Sequence, residues 1–300
     1  MHQRCACHII NLIVKSGLKR LKHVTEDFRT AINFLNSSNQ RIALFKEYCN
    51  AKGFRPRKFG LDMDVRWNST YLMLKHLMPN KDIFSVFINS HYGSELSTRN
   101  HWYAAEKVME FQQLFYDSTV VLSGVYYPTS PLVLHHILEI ASQLHAAERD
   151  HNLRNIVGPM KLKFLKYWED MPMLYSYAFI LDPRAKMKGF YNVLQLLSDC
   201  TGASYILYYA EVKSELYKLF TKYETKFGAA RSQRVPQPSA HSGKKKQAWA
   251  KIFGDQAGSG VVGPPPTSSS SSGGAVSEFT AYLDTDCVTA YDDDFDLILW

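Results

Sequence analysis

Apolar positions along the first 227 residues recur at intervals of three, four and seven, the period of helices that each bury one face. Ile9, Leu12 and Ile13 define such a face over residues 5–18, with Cys5 and His8 a turn before them. Leu21, Val24, Phe28, Ile32 and Leu35 carry the period to a break at Asn36-Ser37-Ser38-Asn39, and a short helix around 42–49 leads into the basic turn Lys52–Lys58. Asn68, Ser69 or Thr70 can cap a helix that begins at Tyr71, because each offers a short side-chain oxygen to unpaired backbone N–H groups. That helix runs through Leu72–Met78 and breaks at Pro79-Asn80.

Asn100 can cap the next helix, whose stripe is Ala104, Val108, Phe111, Phe115 and Leu122. Ser130-Pro131 opens another, with Val133, Ile137, Ile140 and Leu144 on its apolar side. Lys161–Glu169 is basic and aromatic, Met173–Leu181 reads as a short extended run before Asp182-Pro183, and Tyr209, Val212, Leu216, Leu219 and Tyr223 close the ordered body.

Beyond residue 227 the pattern gives way to Ser, Gly and Pro, including Gly263-Pro264-Pro265-Pro266 and the run Ser268–Ser272, so 228–277 is expected to be a disordered linker. Lys244-Lys245-Lys246 within it is too short a run to specify a partner. Phe279, Tyr282 and Leu283 then begin an amphipathic element, and the sequence closes on the apolar Phe295, Leu297, Ile298, Leu299 and Trp300. Charge follows the same divisions. Residues 1–227 carry 29 Lys and Arg against 20 Asp and Glu, 228–277 carry 6 against 1, and 278–300 carry none against 7. A mildly basic body is compatible with nucleic acid.

The five cysteines are odd in number and scattered, which argues for a reducing compartment over a disulfide framework. No stretch approaches the ~18 consecutive apolar residues of a membrane span, and a charged-then-apolar leader pattern is absent, so a soluble protein with no membrane partner is expected.

Candidate chemistry is sparse. Arg66 supplies a planar fork suited to phosphate and Trp67 a flat face for an unstacked base; the alternative is a core indole beside a salt-bridged arginine. Cys5-Ala6-Cys7-His8 lacks a second Cys/His pair at finger spacing, so no metal is assigned to it. His135, His136, His145 and His151 read as surface or packing residues, and Asp182, just before Pro183, reads as a helix cap.

Four ordered motifs carry a resemblance. Arg4-Cys5-Ala6-Cys7-His8-Ile9-Ile10-Asn11-Leu12-Ile13-Val14, Asp64-Val65-Arg66-Trp67-Asn68-Ser69-Thr70-Tyr71, Phe179-Ile180-Leu181-Asp182-Pro183-Arg184-Ala185-Lys186-Met187, and Ser277-Glu278-Phe279 with Tyr282-Leu283-Asp284 and Tyr291–Leu297 resemble segments of plant hAT-superfamily transposases, including their RICESLEEPER-type domesticated members. The resemblance implies a mainly α chain, the helical insertion of an interrupted RNase H-like fold with few short strands. It divides the sequence into the end of the first core part (1–25), the helical insertion and RNase H-like region (26–227), the linker (228–277) and the start of a C-terminal dimerisation region (278–300).

It further implies that Cys5 and His8 sit beside an active site, with His8 approaching a phosphate, and that Trp67 of the Arg66-Trp67 pair stacks on a flipped base. The family's three metal-binding acids fall upstream of Cys5 and downstream of the dimerisation region's opening. The expectations are therefore no catalytic residue, no cofactor and no strand transfer from this stretch, which reads as truncated at both ends. DNA is the expected partner, with homo- or hetero-dimerisation through the C-terminal region, in the nucleus. A helical interaction module without DNA chemistry and a non-functional gene fragment are the other readings.

Overall fold

The helical period becomes helix almost everywhere it occurs. A computed structural model describes residues 4–60, 67–92, 99–227, 278–285, 287 and 297, and among these every regular element is helical, so the few expected strands are not found there. The helices are α1 (Ala6–Leu18), α2 (Lys22–Asn36), α3 (Asn39–Ala51), α4 (Trp67–Leu77), α5 (Lys81–Tyr92), α6 (Arg99–Leu122), α7 (Val133–Ala147), α8 (Arg154–Trp168), α9 (Met173–Ile180), α10 (Lys186–Thr201), α11 (Ile206–Phe227) and α12 (Glu278–Asp284). The expected linker 228–277, Asp62, Asp64 and Arg66 lie outside the described residues.

The chain forms two compact units, Met1–Ser123 with Glu139–Trp168, and Gly124–Leu138 with Glu169–Trp300. In the first, the predicted stripes are buried: Ile9 and Ile13 on α1, Phe28, Ile32 and Leu35 on α2, Phe111 and Phe115 on α6, Ile140 and Leu144 on α7. Aromatic edges bind α2, α3, α5 and α6, with Phe45 5.0 Å from Phe87, Phe59 5.3 Å from Phe84 and Phe28 4.7 Å from Trp102 between ring centroids. Such pairs are worth about 0.5–1.5 kcal/mol beyond their buried area.

In the second unit α9 buries Tyr175, Ser176, Phe179 and Ile180, and α10 buries Phe190, Val193, Leu194 and Leu197. Gly202 ends α10 at φ 77°, a left-handed cap that a side chain would strain. The short helix α12 seats Phe279 flat on Phe220, with ring centroids 4.6 Å apart, and edge-on to Tyr217 at 5.3 Å.

Three local expectations are corrected. Met173–Ile180 is helix, not an extended run, because its buried residues fall at i, i+1, i+4 and i+5. The α4 helix begins at Trp67, not Tyr71: Trp67, Thr70, Tyr71 and Leu74 form one buried i, i+3, i+4, i+7 stripe, and that burial outweighs the capping preference of Asn68, Ser69 and Thr70. Likewise α6 starts at Arg99, which leaves Asn100 exposed inside its first turn.

Candidate nucleic-acid interface

The first motif sits on α1, which packs along α8. Gly17 makes the close approach possible, since a Cβ there would lie 2.5 Å from Met160 Sδ. The Ser16 hydroxyl, 2.6 Å from the Ile13 carbonyl, also reaches the Pro159 carbonyl at 3.2 Å. At the other end the Arg4 guanidinium lies over the Tyr167 ring, 5.1 Å from its centroid. Contacts that join 16 to 159 and 4 to 167 make the pair antiparallel.

This packing turns the N-terminal end of α1 outward. Cys5 caps the helix with extended backbone and no side-chain hydrogen bond, and the first turn carries no acid. Both Cys5 and His8 are exposed. Cys7 points elsewhere: its thiol lies 3.5 Å from Ser123 Oγ and 3.9 Å from the Thr119 carbonyl, and burial pushes it above the usual thiol range. Unpaired N–H groups, a positive helix end and an exposed imidazole suit this end of α1 to an anion.

Trp67 lies in the same unit, 4% exposed, on a helix packed against α6 and α1. In this state the indole is part of the core. The next residue, Asn68, has its Oδ1 buried with no hydrogen-bond partner among the described residues. One turn on, Tyr71 and Tyr116 lie 4.7 Å apart, with the Lys75 ammonium 5.3 Å and 5.9 Å from their centroids.

The third motif belongs to the second unit and is architectural. Asp182 is fully buried and takes both arms of Arg184, Nε on Oδ1 at 2.9 Å and Nη2 on Oδ2 at 2.6 Å, while the Arg184 backbone N–H also donates to Oδ1 at 3.0 Å. It closes a turn and does not cap α10, whose capping position is Ala185. Lys186 follows at φ 50°, strained for a residue with a Cβ. Its buried ammonium donates to Thr285 Oγ1 at 2.7 Å and lies over the Tyr282 ring. Tyr282 in turn donates to the Ile180 carbonyl at 3.3 Å, and the Cys287 thiol to the Ala185 carbonyl at 3.4 Å.

A divalent metal of the kind implied for the family needs converging carboxylates. Among the described residues no three His, Cys, Asp or Glu side chains converge, and both oxygens of Asp182 are already taken by Arg184, so these residues do not fit that group. Of the four histidines set aside in the sequence, His135 is buried with its ring 5.3 Å from that of His136. Reading the sequence for sites passed over Lys163, Lys166 and Tyr167; the signal available was the absence of any acid between Arg154 and Trp168.

Residues 3–111 match the ZBED1 RNase-like helical domain, and residues 131–223 match the hAT-like transposase, RNase-H fold. Zinc finger BED domain-containing protein RICESLEEPER 2 of Oryza sativa subsp. japonica is 28% identical over 219 residues, 72% of this chain and 30% of that protein. The Putative AC transposase of Zea mays is 30% identical over 191 residues, 62% of this chain and 24% of its own length. DAYSLEEPER of Arabidopsis thaliana, also a zinc finger BED domain-containing protein, is 26% identical over 168 residues, 54% of this chain and 23% of that protein. The chain thus spans about a third or less of the length of these relatives. No solved structure matches. Two family models thus lie in order along one sequence, with relatives that include a transposase: residues 3–111 are of the ZBED1 RNase-like helical type and residues 131–223 of the hAT-like transposase RNase-H type.

Proposed function

We propose that this chain is a DNA-contacting component of the hAT transposase type that acts in the nucleus and supplies no strand-transfer chemistry from its own residues. The observation that carries the reading is the outward, acid-free N-terminal turn of α1, with His8 exposed beside the uncapped first backbone N–H groups. That turn presents donors and a positive helix end where the family resemblance puts a phosphate. The relatives support the same reading by name, one as a transposase and others as zinc finger BED domain-containing proteins. No carboxylate is assigned a catalytic role and no cofactor is assigned to these residues.

Trp67 enters this reading only through a conformational step. Its indole is buried, so stacking on an extruded base requires the first turn of α4 to open. The cost of exposing a large aromatic, about 3 kcal/mol on the scale of core aromatic truncation, has to be recovered from the stacked base.

Fluorescence anisotropy of labelled duplex and single-stranded DNA with the full chain tests the reading. Binding at low salt, weakened several-fold by His8→Ala at unchanged thermal stability, is the expected result. Absence of binding to either DNA at low salt would reject it. In a variant that keeps only Trp67 of the five tryptophans, acrylamide quenching with and without DNA reports whether the indole leaves the core.

A further inference from the structure

The α1–α8 pair carries a second feature that the family motifs do not include. Along α1 and the 3-10 turn that follows it, residues 6–21, there is no acid, and Arg154–Trp168 of α8 contains none either. Helical spacing sorts the α8 cations by flank. Lys163, Lys166 and Tyr167, at i, i+3 and i+4, share the flank that also carries Pro159, the residue touched by Ser16 of α1. Lys161 lies on the opposite flank and is held by Glu148 at 2.9 Å. On α1 the exposed His8 and half-buried Lys15 are followed by exposed Lys19. Lys15, Lys19, Lys163 and Lys166 have no carboxylate partner among the described residues.

Two cations also converge on one ring. Arg4 lies 5.1 Å and Lys163 6.0 Å from the Tyr167 centroid. The aromatic face attracts each of them and so holds the Lys163 side chain at this end of the helix pair.

We propose that Lys15, Lys19, Lys163 and Lys166 form a sequence-independent strip for the DNA backbone along the α1–α8 pair. The strip rests on the DNA-contacting reading and deepens it, naming the phosphate backbone as ligand and placing contacts beyond the motif residues. Its dimensions agree with that ligand. From the Arg4 end of the pair to Lys19 is about 22 Å at the helical rise, the axial length of about six phosphates of one strand at 3.4 Å each. The cations act as point charges on flexible stems, so they fix position along the duplex and read no bases.

The experiment is a salt titration of full-chain binding to one duplex. Removing two phosphate contacts lowers the slope of log K against log salt by about 1.8. Lys163→Ala/Lys166→Ala is expected to show that drop, with weaker binding to unrelated duplexes by the same factor. Lys213→Ala/Lys222→Ala, which removes two exposed lysines of α11, is the charge-matched control and keeps the parental slope. If the chain binds but both double variants keep the parental slope, or both lose the same amount, the strip is wrong while the DNA reading stands. If the unmodified chain binds no duplex at low salt, both fall.

Discussion

Two sets of charged residues in this chain are handled in opposite ways. In the first unit Lys19 and Lys166 are exposed and Lys15 and Lys163 half-buried, with no carboxylate paired to them among the described residues. In the second, Asp182, Arg184 and Lys186 are at most 4% exposed, and each is given partners from the same short turn or from the segment around Thr285. Burial of a charge without a partner is prohibitively costly, so buried charges come in completed sets and serve architecture. Charges left at the surface without partners cost little and stay available to a ligand. The motif around Asp182 and the stretch around Lys163 both read as polar and basic in sequence, yet only the second is free to recognise anything.

The comparison predicts a large stability effect in the second unit. Asp182→Asn leaves the Arg184 guanidinium buried without its carboxylate and should destabilise that unit by about 3–5 kcal/mol, seen in urea unfolding. Phe279→Ala comes next. It removes the ring stacked on Phe220 and should release α12 with a loss of up to about 3 kcal/mol, seen as faster hydrogen exchange of the Glu278–Asp284 amides with little change in α1.

Gly17→Ala sets the Met160 thioether against a new methyl group. Overpacking of about 1–3 kcal/mol, partly offset by the ~1 kcal/mol helix preference of alanine, should lower the melting temperature of the first unit slightly. The smallest stability effect belongs to Lys163→Ala/Lys166→Ala, within about 0.5 kcal/mol, even though it is the change expected to alter DNA binding most. If that variant proved as destabilising as Asp182→Asn, the contrast between the two sets of charges would fail.

Alkaline pH separates the units in another way. Burial raises the phenols of Tyr177, Tyr205, Tyr208, Tyr209 and Tyr282, all in the second unit, above the ordinary tyrosine range. A raised pKa in the folded state means the unfolded chain ionises first. The stability these groups contribute is therefore complete below about pH 10 and is lost as pH climbs from there through the folded-state values. The second unit should melt earlier above that pH, and Tyr208→Phe should blunt the effect.

Much of the architecture was legible in the sequence because amphipathic periods of three and four are strong signals. The stripes on α1, α2, α6 and α7 lie where their burial demands, whereas on α11 Val212 and Leu216 are buried and Leu219 and Tyr223 are exposed. Met173–Ile180 was misread because a run of eight residues, apolar or aromatic but for Ser176, satisfies a buried strand as well as a buried helix. The start of α4 was misplaced because capping residues compete with a tryptophan stripe, and tertiary burial decided it. Lys186 could not be read at all: its partner Thr285 lies 99 residues away and no local pattern links them. At the candidate interface, His8 was legible from a motif, whereas Lys163 and Lys166 needed the antiparallel α1–α8 contact before they became neighbours of Arg4.

The salt dependence of binding between the unmodified full chain and a single duplex tests the central claim most directly. With up to four backbone contacts, log K should fall linearly against log salt with a slope approaching about −3.6. A slope near zero, or no binding at low salt, would contradict the account.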